Sequence, residues 1–120
     1  MVLIHDTFAI DALTAARERE TAFWTGDVWK IVPCLREFRP YLNVFTIAAP
    51  PSGLSVVSRL DPHSTVLIDR FNEIVSRYIS LDVDPDESLR RNSAGMVPNN
   101  WEEIVARLSS DLVEKRIAAR

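Results

Sequence analysis

The four residues Pro50-Pro51-Ser52-Gly53 constrain this chain more than any others. Consecutive prolines followed by a glycine mark a turn, because proline pre-sets its own φ and glycine tolerates positive φ. Two short apolar runs flank the turn: residues 43–49, with Val44, Phe45 and Ile47, and residues 54–60, with Leu54, Val56 and Leu60 on one side. Strands joined this closely pair antiparallel as a hairpin. An isolated hairpin is marginal in water and needs a third strand or a helical cover. Val2-Leu3-Ile4 is the natural third member: it is apolar, partly β-branched, stops abruptly at His5-Asp6, and reads as a buried strand.

The remaining segments read mostly as helices. Residues 11–23 predict a helix with Asp11 as its N-cap and Arg17, Glu18, Arg19 and Glu20 on a solvated face, broken by Thr25-Gly26. Residues 27–38 predict a second, with Val28, Ile31, Val32, Leu35 and Phe38 at helical spacing. Pro33 should kink it or reset its start, and Pro40 should close it. Residues 64–80 predict an amphipathic helix with Leu67, Phe71, Ile74, Val75 and Tyr78 on one stripe. Residues 82–98, with two prolines, a glycine and many charges, read as an irregular loop. Residues 100–120 predict the last helix, with Asn100 and Glu103 spaced as a capping box and Trp101, Ile104, Val105, Leu108 and Leu112 as its apolar stripe. The expected architecture is α/β: a small mixed sheet with helices packed on it. A length of 120 residues suits one domain rather than two.

Composition narrows the function classes. The net charge is −3, from 14 basic and 17 acidic residues. Nucleic-acid binders draw most of their affinity from phosphate contacts and carry a basic excess, so no nucleic-acid partner is expected. One cysteine, Cys34, cannot form an intrachain disulfide. The opening Met-Val-Leu-Ile lacks the basic start and long apolar run of a signal peptide, and no run approaches the ~20 apolar residues of a membrane span. A cytoplasmic location without membrane association is the expectation.

Three segments carry a family resemblance. Val2-Leu3-Ile4-His5-Asp6-Thr7-Phe8 resembles the fifth strand, and the loop after it, of class I S-adenosylmethionine-dependent methyltransferases. Phe23-Trp24-Thr25-Gly26-Asp27-Val28-Trp29-Lys30 followed by Leu35-Arg36 is similar to the helical connection after that strand, and Pro51-Ser52-Gly53-Leu54-Ser55-Val56-Val57 to the turn and last strand. That fold ends in an antiparallel hairpin whose final strand inserts between strands five and six. The resemblance implies the carboxy-terminal half of a three-layer, Rossmann-like methyltransferase. Residues 1–62 would be its strand-helix-hairpin part, and residues 63–120 a helical extension packing on the same domain.

It also implies a small-molecule or sugar-like acceptor and S-adenosylmethionine as cofactor in a full-length parent. The family cradles that cofactor on a glycine-rich turn after its first strand, with an acidic residue further on for the ribose. Here Gly26, Gly53 and Gly95 are isolated, and none opens a helix directly after a strand. No cofactor-binding residue is assigned, and the chain alone is expected to bind no cofactor and to be inactive. The alternative is a non-catalytic α/β binding or scaffold module. A split parent would leave one side of the first strand unpaired, so self-association through that edge is expected.

His5 and Asp6 are the catalytic candidates. They follow the carboxyl end of a strand, where open α/β sheets bind ligands, and a histidine beside a carboxylate suits general-base work. Metal-dependent O-methyltransferases, which this loop resembles, hold a divalent cation with an Asp-Asn pair here. In this chain the pair is His-Asp, and no metal ligand is assigned. The competing reading is that both residues cap the next segment. Thr7, Trp24 and Trp29 are the substrate-binding candidates, set against the plainer role of aromatics that cover the sheet. Asp27 and Lys30 fit either substrate contacts or a helix-start surface pair.

Cys34 has no neighbour that would activate it and reads as a small core residue, and His63 as solvated. Asp82, Asp84, Asp86 and Glu87 lack the spacing of a calcium loop and read as a solvated acidic stretch. Ser52-Gly53 lacks the nucleophile-elbow pattern. A metal-dependent hydrolase using His5, Asp6 and His63 lacks any ligand spacing.

Overall fold

The computed structural model describes the backbone of residues 1–118 and the side chains of residues 1–109. Strands β1 (Val2–His5), β2 (Asn43–Ile47), β3 (Leu54–Ser58) and β4 (Met96–Val97) form one mixed sheet of order β1-β3-β2-β4. The Pro-Pro-Ser-Gly turn does what its composition dictates. It sets β2 antiparallel to β3 with Phe45 opposite Val56 and Thr46 opposite Ser55. The Pro50–Pro51 peptide is cis, and Gly53 takes a φ of +80°. β3 also runs antiparallel to β1, while β2 and β4 are parallel. β3 is therefore the one reversed strand among the four, and β1, β2 and β4 all end at the same edge of the sheet.

The strand alternation divides the core between two faces. On one face Val44 and Val57 meet Val32 and Leu35 of helix α1 (Ile31–Phe38), with Ile4 and Leu67 closing the sides. On the other, Phe45, Ile47, Val56 and Val97 are covered by Ile104 and Leu108 of helix α5 (Trp101–Ala118). Helices α2 (Val66–Asp69) and α3 (Phe71–Tyr78) lie behind α1, where Cys34, Phe38 and Tyr78 form a further buried cluster.

Several expectations from sequence need correction. β1 is not buried: it pairs only with β3 among the described residues, and Leu3 is 57 % exposed. An outer strand keeps one edge and much of both faces in solvent. Residues 11–23 form turns, not a helix. Asp11 does accept the Thr14 N–H at 2.7 Å, as an N-cap would, but the chain does not propagate. The Trp24 indole takes the Ala16 carbonyl at 2.6 Å and the Arg19 side chain takes those of Thr21 and Ala22, so acceptors that a helix would use are bound from outside it.

The second helix begins at Ile31, after a short 3-10 turn over Val28–Lys30. Pro33 falls in its first turn, where a missing N–H costs nothing. The segment 64–80 is two short helices with Arg70 between them outside helical geometry. Leu67, Ile74 and Tyr78 turn inward while Phe71 and Val75 are exposed.

The supposed loop 82–98 contains helix α4 (Glu87–Ser93) and β4. Asp86 caps α4 by accepting the Ser88 and Leu89 N–H groups, and Gly95, at φ +61°, lets the chain leave it. Leu60 lies beyond β3 and is exposed, because Arg59 leaves the strand in a left-handed conformation. The Asn100 cap is present, accepting the Glu103 N–H at 3.0 Å, while its own N–H bonds to the Pro98 carbonyl. Trp101 and Val105 are exposed although the stripe put them inside, and the Leu112 side chain lies outside the described residues.

The Cys34–Phe38–Tyr78 cluster makes stability sensitive to alkali. Burial pushes the Cys34 thiol above its ordinary value of 9.0. Burial first, and then the neighbouring Cys34, push the Tyr78 phenol above 10.0. Both groups are kept neutral by the fold, so the unfolded chain loses its protons first as pH rises. Their contribution is complete below about pH 9 and is lost as pH climbs through the ordinary values towards the folded ones. Urea midpoints should therefore be flat from pH 7 to 8.5 and fall above about pH 9. In the native state Cys34 should react with a thiol reagent only slowly, and rapidly in denaturant.

Candidate functional site

The shared carboxyl edge of β1, β2 and β4 is where the chain's polar side chains and its concave surface coincide. At the end of β1 the backbone turns sharply at Asp6, whose φ of 62° is rare for a residue with a side chain. Asp6 is held there from several sides. Its N–H donates to the Gly53 carbonyl at 3.2 Å, its Oδ1 accepts the Ser52 hydroxyl, and its Oδ2 lies 2.9 Å from His5 Nδ1. The carboxylate stands between the serine and the histidine, so His5 cannot take a proton from Ser52. The His5 side chain is 86 % exposed. Neither His5 nor Asp6 lines the cavity described next.

The turn at Asp6 sends Thr7 inward. Thr7 is 2 % exposed, and its Oγ1 accepts the Ser55 hydroxyl at 2.6 Å. Ser55 Oγ also lies 2.7 Å from Thr46 Oγ1. Ser55 has a single hydroxyl hydrogen, and it is given to Thr7, so Thr46 must donate to Ser55. The chain of donors runs Thr46 to Ser55 to Thr7, and the Thr7 hydroxyl hydrogen is left to donate onward.

Thr7 lines a cavity of about 220 Å³. Phe8 and Ala9 continue its wall from β1, Trp29, Val32 and Pro33 close the side towards α1, and Leu81 with Asp82 and Asp84 forms the rim. Arg90 and Ser93 of α4, with Ala94 at the end of that helix, complete it. Arg90 Nη1 donates to the Asp84 carbonyl at 2.8 Å and Nη2 to the Ile10 carbonyl at 3.2 Å. The Arg90 Nε–H and the Trp29 Nε1–H are buried with no acceptor among the described residues. Buried donors are nearly always satisfied, so two on residues that line one cavity leave room there for an acceptor, from water or from a ligand.

Of the candidates from sequence, the structure brings Thr7 and Trp29 to this cavity. It leaves His5 and Asp6 just outside, and turns Trp24 to pack on Gly26 with its N–H spent on the Ala16 carbonyl. Asp27 and Lys30 are 3.5 Å apart, and Lys30 Nζ also donates to the Ile79 carbonyl, so it ties the 3-10 turn to the end of α3. Asp84 and Asp86 serve the entrance to α4: Asp84 accepts the Asp86 N–H, and Asp86 is the cap. Among the described residues no group of three or more His, Cys, Asp or Glu side chains is placed to hold a metal, and no helix is long and apolar enough to cross a membrane.

Arg90 and the Thr46–Ser55 pair were not singled out by sequence. The hairpin turn places Thr46 opposite Ser55, so two facing hydroxyls on a sheet face could have been read from the register. Arg90 carries no comparable signal.

The fit of an adenosyl cofactor can be tested on the glycines, since such a ligand needs bare backbone to approach. A Cβ on Gly53 would meet Phe8 and Thr46, one on Gly26 the Trp24 ring, and one on Gly95 the Arg36 guanidinium. Each glycine faces protein, and these residues do not form a cradle for S-adenosylmethionine. No family model, no characterised protein and no solved structure matches the chain.

Proposed function

We propose that this chain is the acceptor side of a class I S-adenosylmethionine-dependent methyltransferase, with the architecture of that fold's Rossmann-like carboxy-terminal half, and that it is silent as an enzyme by itself. One observation carries the reading: β3 runs against both of its neighbours and lies between β1 and β2, the order in which that family's last strand inserts between strands five and six. The resemblance in residues 2–8 and 51–57 falls on the strands in that arrangement.

The half that would hold the cofactor has a place to dock, because the outer edge of β1 has no strand partner among the described residues. The same edge would pair two copies of this chain in the absence of that half. The cavity beside Thr7 is then the acceptor pocket, at the edge of the sheet where such folds bind ligands. A second reading, a binding module without chemistry, is favoured by the same cavity and needs no missing half.

The test is calorimetric titration of the purified chain with S-adenosylmethionine, together with a methyl-transfer assay. The expected result is no binding heat and no transfer. Saturable binding, or transfer by the chain alone, overturns the reading.

A further inference from the structure

We propose that the cavity beside Thr7 takes a small monocarboxylate, gripped through Arg90. The inference deepens the reading of this cavity as an acceptor pocket and rests on it.

Two buried donors on its walls have no acceptor among the described residues, the Trp29 indole N–H and the Arg90 Nε–H, and Thr7, which accepts from Ser55, lies on the same wall. A ligand that satisfies them must bring acceptors and need bring no donors. Charge then selects among acceptors. The Arg90 guanidinium is part-buried; its hydrogen bonds go to the Asp84 and Ile10 carbonyls, it lies 5.8 Å from the Phe8 ring centre, and the Asp11 carboxylate feels its charge without pairing with it. A part-buried guanidinium that hydrogen-bonds to no carboxylate among the described residues still favours an anion's oxygens beside it. Asp82 and Asp84 on the rim oppose a doubly charged group such as a phosphate facing a single guanidinium, whereas a carboxylate matches the charge and the planar fork of one arginine.

Size and lining fix the remainder of the ligand. The volume of about 220 Å³ corresponds to roughly seven waters, and Phe8, Val32, Pro33 and Leu81 give it apolar walls. An apolar body the size of a single ring fits beside the carboxylate.

Benzoate is the probe. The chain has three tryptophans and so three indole N–H signals, of which the Trp29 signal is identified by its loss in Trp29→Phe. On titrating the 15N-labelled chain with sodium benzoate at pH 7 and constant ionic strength, the Trp29 signal should move saturably, with a dissociation constant of a few mM or less, on the order expected for so small a ligand. The Trp24 signal, whose donor is held by Ala16, should stay. Benzamide, the neutral isostere, should bind at least roughly tenfold more weakly, and inorganic phosphate should leave the signal unmoved. Arg90→Lys, which keeps the charge and loses the fork, should weaken benzoate by a similar factor.

A Trp29 signal that does not move up to about 50 mM benzoate, or that responds equally to benzamide, overturns the proposal. If Arg90→Lys fails to fold, the benzoate–benzamide comparison on the unaltered chain decides. S-adenosylmethionine plays no part in this titration. Failure here leaves the methyltransferase reading to its own test, and failure there leaves this result standing.

Discussion

Phe45→Ala should lower the unfolding free energy by about 3–5 kcal/mol, the usual cost of emptying a buried phenylalanine site. Phe45 is 1 % exposed and sits at the middle of β2, opposite Val56, with Ile47 and Val97 beside it and Ile104 and Leu108 of α5 above. A void there is bounded on the sheet side by paired backbone, which cannot collapse into it. Only α5 can move in, and doing so would pull Ile104 and Leu108 off Ile47 and Val97. A domain of this size has ~5–15 kcal/mol in total, so the variant should be visibly weakened. In urea the midpoint should fall with an unchanged slope. The control is Phe71→Ala: Phe71 is 61 % exposed, and its loss should stay within about 0.5 kcal/mol. Equal costs for the two would mean that the α3 stripe, not the sheet, is the main core.

That pair also shows where the sequence was readable. The period-2 pattern around a strong turn located β2 and β3 and their pairing, because the turn residues and the strand apolarity point to the same register. The period-3.6 pattern of residues 64–80 was read as one stripe. Once Arg70 interrupts the helix, Phe71 no longer shares a face with Leu67, and spacing alone carries no warning of such a break. Residues 11–23 have the alanines and the cap of a helix. What opposes it is a contact from outside the helical spacing: the Trp24 indole, eight residues on, binds the Ala16 carbonyl.

The helix α4 was legible in principle, with Asp86 as cap and Gly95 as exit, but the prolines and charges around it read more loudly as loop. The site divides in the same way. The turn after β1 was found because strand ends are where such sheets bind ligands, and Thr7 and Trp29 came with it. Arg90 reaches the cavity only because α4 packs across the end of β1, a long-range placement that no local pattern encodes.

Gly53→Ala should cost about 2–5 kcal/mol. Two costs combine. The first is conformational: a φ of +80° charges an L residue about 1–2 kcal/mol. The second is steric: the new Cβ would stand 2.9 Å from the Phe8 Cβ and 3.1 Å from Thr46 Cγ2, and overpacking of this kind costs about 1–3 kcal/mol. Neither neighbour can swing away. The Phe8 Cβ is fixed to a backbone whose N–H donates to the Ser52 carbonyl at 2.8 Å, and Thr46 is held through its hydroxyl by Ser55.

Gly26→Ala separates the two costs. Its φ is +65°, so the conformational part is the same, but the nearest atom is the ring of Trp24 at 3.3 Å, on a part-exposed side chain that can shift. Thermal unfolding should rank the variants with Gly53→Ala well below Gly26→Ala, the gap reporting the crowding at Phe8 and Thr46. Since Phe8 also walls the cavity, Gly53→Ala should weaken benzoate binding as well, while Gly26→Ala leaves it intact. The reverse ranking would mean that the β2–β3 turn is not pressed against the end of β1, and with that contact would go the geometry that buries Thr7.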